Sequence, residues 1–273
     1  MIWIRRLFNF YINSSVHVAL AVFALSYVTL TKFKIEFDSV SLGFNFFATI
    51  LGYNFVKYLP FLQSKTLPKR LTVYFIGIVS VLALVGVFSC GIFLKLNVLL
   101  LIAVFALLTL LYALPLLKKL HQKGHLSLRF IPGIKIFIIA LVWSGVCVFI
   151  PILQNEQLLN NHVWLTFVEY FIIVVVLMIP FEIRDLKYDD KRLKTLPQVL
   201  GIKKTKQIGL LLCFFVFTIE LFMHYKDINA LIVSAVFVLT LACFMWYSSV
   251  NRSNLYCSFW VEAIPVFWML LLF

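Results

Sequence analysis

The sequence predicts an all-α protein, a polytopic membrane bundle of nine transmembrane helices with its N-terminus on the cytoplasmic side. Three observations predict it. The chain is 63% hydrophobic and only 13% charged, with a mean hydropathy of +1.02, so it lacks the polar surface that a water-soluble globule needs. Its apolar residues come in runs of about twenty, the length at which a helix crosses a hydrocarbon core about 30 Å thick while satisfying its own backbone hydrogen bonds. With the N-terminus inside, nine such runs leave only Lys32, Lys34, Lys95 and Lys226 of the 24 basic residues on the outer side, a strong positive-inside bias.

The expected spans lie near 15–31, 39–61, 71–93, 97–117, 131–151, 163–181, 207–224, 228–248 and 257–273. Removing or adding one would scramble the alternation of charge. Arg5 and Arg6 precede a long first run with no small-residue cleavage pattern behind it, so that helix is expected to stay as an anchor. A single membrane domain over residues 1–273 is expected, in the inner membrane if the source is bacterial. Cys90, Cys147, Cys213, Cys243 and Cys257 are scattered through apolar segments without CxxC spacing and read as reduced packing residues. Gly77, Gly86, Gly91 and Gly145 are expected at close helix contacts.

The carboxylates are the informative charges. Glu182, Asp185, Asp189 and Asp190 are the only acids in any loop expected inside. On one continuous helix Glu182, Asp185 and Asp189 would fall at i, i+3 and i+7 and share a face. That face suits Mg²⁺, which takes hard oxygen ligands and is commonly held by one or two carboxylates together with substrate phosphates. The simpler reading, a charged helix end in water, explains the basic residues through topology and anionic lipid heads but not the acidic focus. No nucleic-acid partner is expected.

Other polar positions carry weaker signals. Asn54, Lys57 and Tyr58 share a face at the inner end of the second span and could meet a polar head group, although Lys and Tyr at this depth are commonly interfacial anchors. The pair His121 and His125 has metal spacing only if its loop is helical, and Gly124 argues against that. Arg129 and Lys135 at the start of the fifth span could neutralise phosphate oxygens. Glu169, Glu220 (with His224 at i+4) and Glu262 lie within or near spans, where an ionisable group usually finds a partner; a structural hydrogen bond is expected, with an ion path as the rival. No Gly-rich phosphate loop, HExxH or GxSxG motif is present.

Asp185xxxAsp189, followed by Lys194-Thr195-Leu196-Pro197 and Leu200-Gly201, resembles the second aspartate motif of the UbiA superfamily of membrane-embedded prenyltransferases, and Tyr112xxPro115 is a weaker match. The resemblance implies a nine-helix bundle in which two aspartate motifs, at the cytoplasmic ends of the second and sixth helices, bind Mg²⁺ and an isoprenyl diphosphate whose prenyl group passes to a hydrophobic, often aromatic, acceptor. It implies Asp185 and Asp189 as metal ligands with Glu182 assisting. Arg129, Lys135 and Lys194 would neutralise phosphate, and Asn54, Lys57, Tyr58 and Tyr112 would contact the substrate. The first motif of that family, NDxxDxxxD, falls on Asn54, with Phe55, Tyr58 and Leu62 where aspartates belong. The rival expectation is therefore a non-catalytic member that keeps the fold to bind an isoprenoid lipid or a protein partner.

Overall fold

The computed structural model describes residues 2–63, 70–114, 131 and 133–273. The described residues contain helices and no strand. In chain order they are α1 (Ile2–Asn13), α2 (Val16–Lys32), α3 (Ser39–Gln63), α4 (Arg70–Gly91), α5 (Leu96–Ala113), α6 (Lys135–Gln154), α7 (Asn161–Asp185), α8 (Leu196–His224), α9 (Ile228–Trp246), a π-helical turn (Tyr256–Val261) and α10 (Ile264–Leu270).

Each expected span overlaps a helix, but the count of nine is not reproduced by length. Seven helices, α3 to α9, are long and apolar enough to cross a membrane, and an eighth crossing is formed only if residues 6–32 are taken as one span bent by 55°. The expected last span is not a continuous helix: the π turn interrupts it, and its apolar stretch, Tyr256–Leu270, is short. Helix α1 lies outside the expected spans, because Arg5 and Arg6 break its apolar run while leaving an amphipathic helix.

Helices α6 and α7 form the centre. In each, 61% of the most apolar window is buried, against 11% in α4. Helix α7 packs on α6, α8, α9 and the π turn, while α2 fills the other side against α3, α6 and α10. Ala19, Ala21, Ala24 and Ser26 of α2 are fully buried, small side chains of the kind that let helices approach closely without a hydrophobic driving force in lipid. Leu82, Phe88, Leu100, Phe214 and Phe222 are exposed and form the apolar belt facing lipid.

Two of the four glycines expected at contacts are there. A side chain at Gly86 would meet the Phe47 ring at 2.4 Å and one at Gly145 would meet Phe105 at 2.0 Å, whereas Gly77 and Gly91 have open space around them. Gly145→Val should therefore cost about 1–3 kcal/mol through overpacking of α5 against α6, read as a lowered unfolding midpoint in detergent, while Gly77→Val should leave the midpoint unchanged.

Charged loops assigned to one side do meet. At one end Lys57 reaches Asn13, Lys135 reaches Asp189 and Lys187 reaches Asn251. At the opposite end Lys95 pairs with Glu156 and Asn155 binds Asp38.

That opposite end also holds the partners of the buried acids. Lys32 of α2 donates to Glu169 of α7 at 2.6 Å and to Glu220 of α8 at 2.5 Å. Its ammonium lies 4.9 Å over the Trp268 ring. The expected structural hydrogen bond thus exists for Glu169 and Glu220, the latter also accepting from Ser234 at 2.7 Å.

Candidate functional site

The candidate site is built on the inner end of α7. Val174, Leu177, Met178 and Phe181 recur at i, i+3, i+4 and i+7 and line one wall of a cavity of about 140 Å³. Ala21 of α2, Tyr53 of α3 and Trp143 of α6 close it from the other sides. One turn beyond Phe181 the same stripe becomes charged, at Arg184 and Asp185. The Arg184 guanidinium sits 5.1 Å over the Phe181 ring, so the charged mouth rests directly on the apolar wall.

The three acids are close together but not on one helical face. The helix ends at Asp185, and residues 186–188 turn. Asp189 is brought back by its backbone N–H, which donates to the Asp185 carbonyl at 2.8 Å. The three side chains then take different tasks. Glu182 is buried and accepts the Leu196 N–H at 3.2 Å, fastening the N-terminus of α8, where a carboxylate also complements the helix dipole. Asp185 is held by Arg184, Nε at 2.7 Å and Nη2 at 3.0 Å. Asp189 has a buried Oδ2 with no hydrogen-bond partner, 3.8 Å from Lys135 Nζ. Asp190 is bound by the exposed Arg192, which pulls its carboxyl down to about 2 and removes it from the set.

The segments that precede Lys135 and Lys194 are joined through their backbones. The Gly133 N–H donates to the Leu193 carbonyl at 2.9 Å, docking the turn before α6 onto the loop before α8. Gly133 takes a left-handed φ of 74°, a region favoured for glycine. Lys194 is itself left-handed, at φ 45°, and its side chain is exposed. Helix α8, which comes next, is bent at Gly201 (φ 77°), so the motif Lys194–Gly201 forms a short helical foot beneath α7.

The residues at the first motif's position have other occupations. Asn54 is buried, accepts from Ser15 Oγ at 2.8 Å and donates to Ser80 at 3.0 Å. Lys57 and Tyr58 both donate to the Asn13 carbonyl, at 3.2 and 3.1 Å. These three side chains fasten the elbow between α1 and α2, where Ser15 adopts a left-handed φ of 63°. His17 completes the joint, with Nδ1 2.7 Å from the Tyr11 hydroxyl and Nε2 2.8 Å from the Phe259 carbonyl. Tyr112 is buried near Tyr53. Arg129, Pro115, His121 and His125 lie outside the described residues.

Glu262 departs from its expected structural role. It lines the cavity, and among the described residues its carboxylate makes no hydrogen bond or ion pair. Lys57 from α3 and Arg184 from α7 are the cations whose charge reaches it. The sequence marked Glu262 as an intramembrane acid but gave it no partner on the cavity side. Tyr53 and Trp143 carried no local signal, each being one of several aromatics in its apolar run.

Among the described residues no three His, Cys, Asp or Glu side chains converge as a ready-made metal cluster. Asp189 Oδ2, which accepts no hydrogen bond and lies 3.8 Å from Lys135 Nζ, is a hard oxygen of the kind that Mg²⁺ takes when it is shared with substrate phosphates.

No family model and no curated protein matches the chain. Among solved structures it is similar to a digeranylgeranylglyceryl phosphate synthase in membranes, with 16% identity over 98% of this chain and 95% of that chain and a TM-score of 0.54. The fold defines a class: an integral, multi-pass membrane protein with the architecture of that membrane synthase.

Proposed function

We propose that the chain is a UbiA-like membrane prenyltransferase, which takes an isoprenyl diphosphate and passes its prenyl group to a hydrophobic acceptor. The observation that carries the reading is the continuity of α7, whose cavity-lining stripe Val174–Phe181 runs into Arg184, Asp185 and then Asp189, whose Oδ2 accepts no hydrogen bond. An amphiphile with a short apolar end and an anionic head matches that order. Mg²⁺, when bound, would be held by Asp189 and Asp185 with Glu182 behind them, and would neutralise charge developing on the departing diphosphate. Arg184, Lys135 and Lys194 supply fixed positive charge around the head group, and the apolar wall excludes water from the reacting carbon.

Lys57 takes part of the role of the missing aspartates as a point charge on the opposite rim. Lys57→Ala should weaken binding of a prenyl diphosphate about tenfold, measured by equilibrium binding to purified protein. Unchanged binding would leave Lys57 as an anchor for α1 alone.

A second reading is favoured by one specific observation. Asn54, Lys57 and Tyr58 are all engaged in holding the α1–α2 elbow, so the half-site that they replace offers no carboxylate. On this reading the chain binds an isoprenoid lipid, or a protein partner, without transfer. Incubating purified protein with labelled prenyl diphosphates, Mg²⁺ and a panel of aromatic and lipid acceptors separates the two. Turnover that disappears in Asp189→Asn supports the enzyme. Mg²⁺-dependent binding without turnover supports the carrier, and the absence of both removes the diphosphate site.

A further inference from the structure

Among the described residues, Glu262 is the only charged one lining the cavity at the inner end of α7. An unpaired carboxylate inside a membrane bundle is expensive, and such residues mark binding or transfer sites by default. Its placement has a structural cause. The turn before it is π-helical, Tyr256–Val261, and the Glu262 N–H reaches the Cys257 carbonyl at 3.2 Å. One extra residue in a turn rotates the downstream side chains by about 100°. That rotation turns Glu262 onto the cavity rather than to lipid.

The cavity also presents a donor. The Tyr53 hydroxyl accepts the Trp143 Nε1–H at 3.0 Å, which leaves its own O–H free to donate. The remaining walls are apolar or aromatic. A volume of about 140 Å³ is close to the roughly 150 Å³ of a dry protein cavity that admits benzene.

We propose that Glu262 and Tyr53 form the recognition end of this cavity for a ring-sized molecule that carries a hydroxyl. The carboxylate accepts the ligand's O–H and the Tyr53 O–H donates to the same ligand oxygen. Lys57 and Arg184 are the cations whose charge reaches the carboxylate. The proposal extends to a chemical step that rests on the prenyl-transfer reading. The ligand oxygen forms a bond to the first prenyl carbon as the carbon–oxygen bond to diphosphate breaks. The electron pair leaves with the diphosphate, and the hydroxyl proton passes to Glu262. Glu262 is then a catalytic residue and Tyr53 a positioning one.

Recognition is tested without turnover, by photolabelling the full chain in nanodiscs with 4-azidophenol and 4-azidotoluene at equal bilayer concentration and mapping the cross-linked residues by mass spectrometry. Labelling at Met178, Phe181 and Trp143 should favour the azidophenol at least tenfold. Glu262→Gln should remove that preference while azidotoluene labelling, which reports an intact cavity, stays unchanged. Equal labelling by both probes, or a preference that survives in Glu262→Gln, would overturn the proposal. The proton step is read separately in the transfer assay. Glu262→Gln should lower transfer at least a hundredfold with diphosphate binding within twofold of wild type. Glu262→Asp should restore part of the rate with a wild-type pH profile. Transfer in Glu262→Gln at the wild-type rate would overturn the step. A hydroxyl preference that depends on Glu262 in a protein without turnover would keep recognition and refute prenyl transfer.

Discussion

Lys32→Met should destabilise the bundle by about 3–5 kcal/mol, the typical cost of removing one partner from a buried ion pair. Lys32 joins three helices at the end opposite the candidate site, reaching Glu169 on α7 and Glu220 on α8 from the last turn of α2. Its side chain is 7% exposed and those of the two acids 0% and 1%. Without the ammonium, two carboxylates face each other in a low-dielectric interior, so the loss is of charge compensation more than of contact area.

The two acids should not respond alike. Glu169 leaves one oxygen unpartnered, whereas Glu220 also binds Ser234 and lies 3.6 Å from His224. Glu169→Gln leaves a balanced Lys32–Glu220 pair and should cost little. Glu220→Gln breaks a wider network and should cost more, and Glu169→Gln placed in Lys32→Met should recover part of the stability. Unfolding midpoints in detergent across this cycle check the order. Equal effects at Glu169 and Glu220 would mean that the triad is not organised as described.

The second large effect is expected at Asp189. Asp189→Asn should reduce prenyl transfer by about 10²–10³, the scale seen when one preorganised electrostatic contact to a developing charge is lost. Asp185→Asn should cost less, because Arg184 already occupies both of its carboxylate oxygens. Asp189 offers Oδ2 without any hydrogen-bond partner, and Lys135 at 3.8 Å is too far for a hydrogen bond. Parallel turnover assays of the two variants rank them. Loss confined to Asp185→Asn would reverse the assignment and imply that Arg184 releases Asp185 when substrate binds.

The helices of the bundle were legible because crossing a membrane demands long apolar runs, and seven of them meet that demand in the structure. The features that escaped were set by single residues. Arg5 and Arg6 hid α1 by interrupting hydropathy without interrupting helical amphipathicity. The π turn before Glu262 inserts one residue into an otherwise regular apolar pattern, which a hydropathy profile does not register. The acidic motif was legible as composition, a focus of carboxylates on a basic face, but the division of labour among Glu182, Asp185 and Asp189 depends on where α7 stops and on Leu196, which arrives from the next helix.

The face formed by Asn54, Lys57 and Tyr58 was likewise visible as a face. Its partner, the carbonyl of Asn13, lies 44 residues before Lys57 in the chain. No local pattern encodes such a meeting. The same holds for Lys32, whose two partners are 137 and 188 residues away.

If the inner end of α7 grips a diphosphate through a cation, a non-reactive prenyl thiodiphosphate should bind the purified full chain saturably in an equilibrium measurement. That binding should require Mg²⁺, disappear in Asp189→Asn and persist in Lys32→Met protein that remains folded. Binding indifferent to Mg²⁺ and to Asp189 would rule the grip out.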